Sequence, residues 1–123
     1  MNTHSDFDDR RLQHMAVEIS ICEDIVAEGK EAFFENSHHG RLRRHAADRA
    51  LQIIQQAAEA LSDDYRARHP QLPWNAIRGM RNRLVHEYHG VDIDLVWWTL
   101  AEQLPVFKRQ LDLPDIDAGD DYF

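Results

Sequence analysis

With one cysteine in 123 residues, the chain cannot form an internal disulfide. It also lacks any apolar run of about 18 residues, so no transmembrane helix is expected. The polar, acidic opening MNTHSD resembles neither a signal nor a transit peptide. Cys22 lies among Ile19, Ile21 and Ile25, the setting of a small core residue and not of a reactive thiol. A reducing cytoplasm is the expected location. No internal repeat and no convincing strand alternation are present. His38 and His39, with His45 nearby, have no cysteine or carboxylate completing a ligand set at a recognised spacing, so no metal site and no cofactor are expected.

Positive charge is scarce as well. The net charge of −8 argues against a general nucleic-acid binder. Its distribution says more. Residues 1–40 hold three Lys/Arg against nine Asp/Glu, and residues 91–123 hold two against eight. Residues 41–90 reverse the sign, with nine arginines against five acids. A basic middle between acidic flanks fits either a strand of RNA or an acidic protein partner.

What is there reads as helix throughout. The hydrophobic fraction of 43% and the length suit a single domain over residues 1–123, with an ordered core at about 8–111 and an acidic tail at 112–123. Residues 1–9 are expected to fray. Leu12, Met15, Ile19, Cys22 and Val26 step by three and four, which predicts an amphipathic helix over about 9–30, broken near Gly29. The Phe33-Phe34 pair should fold onto the core, within a ragged turn at 31–35. Residues 36–40 read as a turn by composition. A second helix over about 42–62 is expected to bury Ala46, Ala50, Ile53, Ile54, Ala57 and Leu61. Arg41, Arg43, Arg44 and Arg49 ring its first half, as a solvated face or as the lining of a nucleic-acid path. Residues 65–73 read as a connector. Pro73 and Trp74 open a third helix, and Asp92 caps a fourth over about 93–111. In that last helix Ile93, Trp97, Leu100 and Leu104 should face inward, Trp98 should stay partly exposed, and Pro105 should produce a bend. The fold class is therefore an all-α, up-and-down bundle of four to five helices with a kinked last helix.

The third helix carries the chemistry. Ile77, Met80, Leu84 and Tyr88 form its packing stripe, and Gly90 stands where a helix commonly closes. Off that stripe, Arg78, Asn82 and His86 succeed one another at i, i+4 spacing, with Arg81 between them and the stripe. An acid/base group beside an obligate cation suits phosphodiester chemistry. Spacing alone leaves a plainer reading open: solvated arginines, and a histidine placed favourably at a helix C-terminus.

Arg81-x4-His86-x-Tyr88 resembles the R-x4-H-x-Y form of the signature of HepT-like toxins, small helical ribonucleases of the HEPN superfamily. The flanks resemble that family too, from Ala50-Leu51-Gln52-Ile53-Ile54 and Leu61-Ser62 through His69-Pro70 and Pro73-Trp74 to Gly90-Val91-Asp92, Trp97 and Leu104-Pro105. Many members carry Gly-Glu where this chain has Gln55-Gln56, a departure that removes a carboxylate from the second helix. The resemblance implies a HEPN-like bundle and a metal-independent endoribonuclease. Arg81 and His86 would be catalytic, with Asn82 and Arg78 supporting. It also implies a homodimer bringing two motifs to one cleft, and a partner nucleotidyltransferase of the MNT type that silences the toxin by attaching AMP to Tyr88. The alternative is a non-catalytic helical subunit that docks such a transferase.

Overall fold

The computed structural model describes residues 6–74, 92–111 and 113–114, and among them the secondary structure is helical, with no strand. The third-helix reading, with Arg78, Arg81, Asn82, His86, Tyr88 and Gly90, lies outside the described residues, as does most of the acidic tail. The all-α bundle expected from the sequence is what the described elements form.

Helix α1 (Asp6–Glu28) starts earlier than the expected frayed end at residue 9. The reason is Asp8, which is buried at the helix start. Its carboxylate accepts the Ser62 N–H at 2.9 Å and the Ser62 hydroxyl at 2.6 Å. Acids in a first turn also complement the positive end of the helix dipole. Leu12, Met15, Ile19, Cys22 and Ile25 form the buried stripe, while Val26 packs on its edge and Ile21 is exposed.

Gly29 breaks the helix as expected, at φ +99°, a conformation that side chains disfavour. Beyond it the chain forms a short helix, α2 (Lys30–Phe34), in place of a ragged turn. It seats Phe33 fully in the core, its ring centroid 5.2 Å from those of Phe34 and Trp97.

Helix α3 (His38–Glu59) takes in residues 38–40 of the stretch read as a turn, and residues 36–37 form the bend ahead of it. Ser37 is its N-cap, accepting the Gly40 N–H at 3.0 Å. Gly40 belongs in the first helical turn because the chain folds back tightly there. A Cβ at this position would lie 2.0 Å from the Glu35 carbonyl oxygen. The helix buries Ala47, Ala50, Leu51, Ile54, Gln55, Ala57 and Ala58, whereas Ala46 is exposed and Ile53 only half-buried. Ala50, Ile54, Ala57 and Leu61 are buried as expected, and the stripe widens to Ala47, Leu51 and Ala58, so that four alanines in the helix allow close packing. The two long helices run antiparallel. Asp8 at the start of α1 meets Ser62 just past the end of α3, and Glu28 at the end of α1 pairs with Arg43 near the start of α3.

Helix α4 (Asp63–Arg68) takes up the first residues of the expected connector at 65–73 and is capped by Ser62, whose hydroxyl accepts the Tyr65 N–H at 3.1 Å. Ser62 therefore links the start of α1 to the start of α4. The last helical stretch has three parts: α5 (Ile93–Trp98), a π-helical turn (Thr99–Gln103) and α6 (Leu104–Gln110). Val96, Leu100, Leu104 and Phe107 are buried, Ile93 and Trp97 pack at the edge, and Trp98 remains 45% exposed. The irregularity expected at Pro105 takes the form of that wide turn just ahead of it. The Leu104 N–H reaches back five residues to the Thr99 carbonyl. A proline cannot donate to the helical ladder, and a π turn absorbs the local mismatch. Among the described residues no helix is long and apolar enough to cross a membrane.

Candidate functional site

Two packed anchors bracket the motif-bearing stretch, residues 75–91. On its N-terminal side, the Tyr65 and His69 rings stack with centroids 4.0 Å apart, and Trp74 meets Tyr65 edge-on at 6.4 Å. The Trp74 indole N–H donates to the His69 carbonyl at 3.0 Å, and the Arg66 guanidinium lies 5.3 Å above the Trp74 ring. On the C-terminal side, the Asp92 carboxylate caps α5 by accepting the Leu95 N–H at 3.1 Å, and the Asp92 carbonyl accepts the Val96 N–H. Val96 is buried in the core. The Asp92 cap was legible in the sequence; the aromatic anchor was not, because Tyr65 and His69 stack only once α4 has formed.

Beside the second anchor, α3 and α5 enclose a groove of about 490 Å³. Arg41, Arg44, His45, Asp48, Arg49 and Gln52 line it from α3, and Ile93 and Val96 form its apolar wall. Arg41, His45 and Arg49 succeed one another at i, i+4, i+8, so they lie along one face of the helix about 6 Å apart in rise. Asp48 is the acidic member among the described residues. One carboxylate oxygen accepts from the Gln52 amide at 3.0 Å, and the other is shielded from solvent.

The four arginines treated together in the sequence separate here into two kinds. Arg43 pairs with Glu28, donates to the Ala32 carbonyl at 3.1 Å and reaches Glu35 at 3.4 Å. Arg44 donates to the Phe33 carbonyl at 2.8 Å and the Glu35 carbonyl at 2.9 Å. Both hold α2 against α3. Arg41 and Arg49 are exposed and bond to no group among the described residues. Of the ring read as either solvated face or nucleic-acid path, half is a structural clamp.

Cys22 is the core residue expected. Its thiol is pushed up to about 12, by burial first and then by the negative charges of Glu18 and Glu23. The rings of His38 and His39 are 6.2 Å apart, and among the described residues no three His, Cys, Asp or Glu side chains gather to hold a metal ion. Gln55 is buried, and its side-chain oxygen has no partner among the described residues.

The sequence matches the family described as ribonuclease HepT-like over residues 7–113. Among similar proteins, one from Thermococcus cleftensis named "Probable ribonuclease HepT" is 31% identical over 110 residues, covering 89% of this chain and 94% of its own. Another, from Caldanaerobacter subterraneus subsp. tengcongensis and named as a candidate RNase, is 33% identical over 100 residues, with 81% and 87% covered. A third, from Methanocaldococcus jannaschii and named in the same way, is 31% identical over 95 residues, with 77% and 87% covered. No solved structure matches.

Proposed function

Because this chain belongs to the HepT-like ribonuclease family, we propose that it is the RNA-cleaving toxin of a toxin–antitoxin pair, with Arg81 and His86 as its catalytic residues. The observation that carries this reading is the joint presence of Arg81, Asn82, His86 and Tyr88 at the motif spacing within the matched span. Covalent connection supports it further. Gly90 and Val91 lead directly into Asp92, which caps the helix forming one wall of the basic groove.

The residue types define the reaction. The neutral imidazole of His86 removes the proton from a ribose 2′-OH, and that oxygen attacks the adjacent phosphorus. The bond to the 5′ oxygen breaks, and a protonated imidazole returns a proton to that leaving oxygen. The products are a 2′,3′-cyclic phosphate and a 5′-OH. A positioned acid/base of this kind contributes about 10²–10⁴ in rate. The Arg81 guanidinium neutralises the charge building on the phosphoryl oxygens, which it can contact bidentately. Asn82 orients the ring or holds the phosphate, and Arg78 adds positive charge. One motif supplies one strong acid/base where two roles are needed, and a homodimer presenting two motifs to one cleft meets that need.

Silencing falls to Tyr88. Its phenolic oxygen attacks the α-phosphorus of ATP in the active site of an MNT-type nucleotidyltransferase, releasing pyrophosphate and leaving AMP on the ring. The added phosphate occupies the Arg81 cation, and the nucleotide fills the cleft.

Intact mass and RNase activity, measured on protein expressed alone and with a cognate transferase, test the reading. The lone protein should cleave RNA in the presence of a chelator. His86→Ala and Arg81→Ala should each lower the rate at least about 100-fold, with melting unchanged, and the co-expressed protein should carry AMP on Tyr88. An inert, unmodified protein that still binds the transferase would instead be a docking subunit.

A further inference from the structure

We infer that the groove between α3 and α5 is a binding subsite for the phosphodiester backbone of single-stranded RNA flanking the cleaved bond, with Arg41 and Arg49 as its phosphate contacts. The inference rests on the ribonuclease reading and adds a place for the substrate beyond the motif.

Four observations carry it. First, these two guanidiniums are not consumed by the described fold. Arg43 and Arg44, on the same helix, are engaged by Glu28 and by the carbonyls of Ala32, Phe33 and Glu35. Arg41 and Arg49 bond to no group among the described residues, yet both line a groove of about 490 Å³. Second, the local charge opposes the global one. The chain carries −8, whereas the groove is lined by three arginines and one aspartate. One Asp48 oxygen accepts from Gln52 and the other is shielded from solvent, and the lining as a whole carries more positive than negative groups. Third, Arg41, His45 and Arg49 rise about 6 Å per step along the helix, comparable to the step between successive phosphates of an extended strand. A positively charged groove tracking the backbone is how single strands are held without sequence preference. Fourth, Ile93 and Val96 make the far wall apolar. Such a wall lowers the local dielectric and strengthens each ionic contact. That wall begins two residues after Val91, so the groove adjoins the motif-bearing stretch along the chain.

The test uses a fluorescein-labelled single-stranded RNA 12-mer and full-length His86→Ala protein, which binds without cutting. Affinity is read by anisotropy across a salt series. Adding Arg41→Gln and Arg49→Gln together should weaken binding at least tenfold at moderate salt. The slope of log affinity against log salt should fall by about 1.4, two phosphate contacts at about 0.7 each on a single strand. Each single variant should lower it by about 0.7, which keeps the test valid should the double variant melt early. Arg41→Lys with Arg49→Lys should restore the slope. Arg10→Gln, an exposed charge removed from α1 near the other end of α3, should leave it unchanged.

Unchanged affinity and slope in the groove variants, with wild-type protein still cleaving RNA, would overturn the groove and leave the ribonuclease reading standing. Absence of both RNA binding and cleavage would overturn the two together. Unchanged RNA binding with lost affinity for the transferase would make the groove a protein interface and overturn the inference.

Discussion

The first half of α3 carries the same residue type to opposite ends. Arg43 and Arg44 are tied to Glu28 and to backbone carbonyls at the α2–α3 corner, although Arg44 also borders the groove beside α5. Arg41 and Arg49 stand exposed in that groove, unengaged among the described residues. The difference lies in what each guanidinium meets. Gly29 turns the chain so that α2 presents its C-terminal carbonyls to α3, and orphan carbonyls at a helix end call for donors. Helix α5 instead presents Ile93 and Val96, which offer nothing for a guanidinium to bond. A guanidinium whose donors the fold has already engaged serves stability, and one left open is available to a ligand.

The contrast breaks most severely at Gly40. Alanine in a helix normally gains about 0.5–1 kcal/mol over glycine. Here the added Cβ would meet the Glu35 carbonyl at 2.0 Å, within the corner that Arg44 clamps. Gly40→Ala should therefore destabilise by more than about 2 kcal/mol in urea unfolding. A neutral or stabilising result would mean that the corner yields freely and that the clamp matters little.

The next effect compares the two kinds of arginine directly. Arg44→Met deprives the Phe33 carbonyl of its donor, while the Glu35 carbonyl keeps the Ser37 N–H. A loss of about 1–2 kcal/mol is expected, within the range for a stranded polar group. Arg49→Met should stay within about 0.5 kcal/mol of the parent, as surface changes away from structural contacts do. Equal costs for the two would erase the distinction.

The smallest effect is a difference in labelling rate at Cys22. Its thiol is buried, pushed up to about 12, and lies on α1, the helix packed against α3. Iodoacetamide should leave it unmodified in the folded protein at neutral pH and react once the frame opens. Arg44→Met should label faster than Arg49→Met. Rapid labelling of the unaltered protein would show that the α1 core is accessible without unfolding.

Much of the helical frame was legible because its signals are local. The stripe of α1, the break at Gly29, the inward turn of Phe33 and the Asp92 cap each depend on residues within a turn or two. The phase of α3 was legible only in part, since Ala46-Ala47, Ile53-Ile54 and Ala57-Ala58 are adjacent apolar pairs that satisfy nearly the same periodicity. Packing buried Ala47 and Ile54, the second members of the first two pairs, and both members of the third. The six-residue α4 was missed because so short a helix has little stability of its own and forms where Ser62 caps it and Tyr65 is buried. The start of α3 was placed too late because glycine weakens a helix by propensity, whereas Gly40 is required there by its close approach to Glu35.

By itself, the sequence determined the all-α class and the family, because periodicity, caps and motif spacing are written along the chain. Which arginines remain open to a ligand was decided only by the tertiary structure. That outcome depends on where α2 and α5 pack against α3, because a guanidinium's partners come from elements the local sequence cannot see.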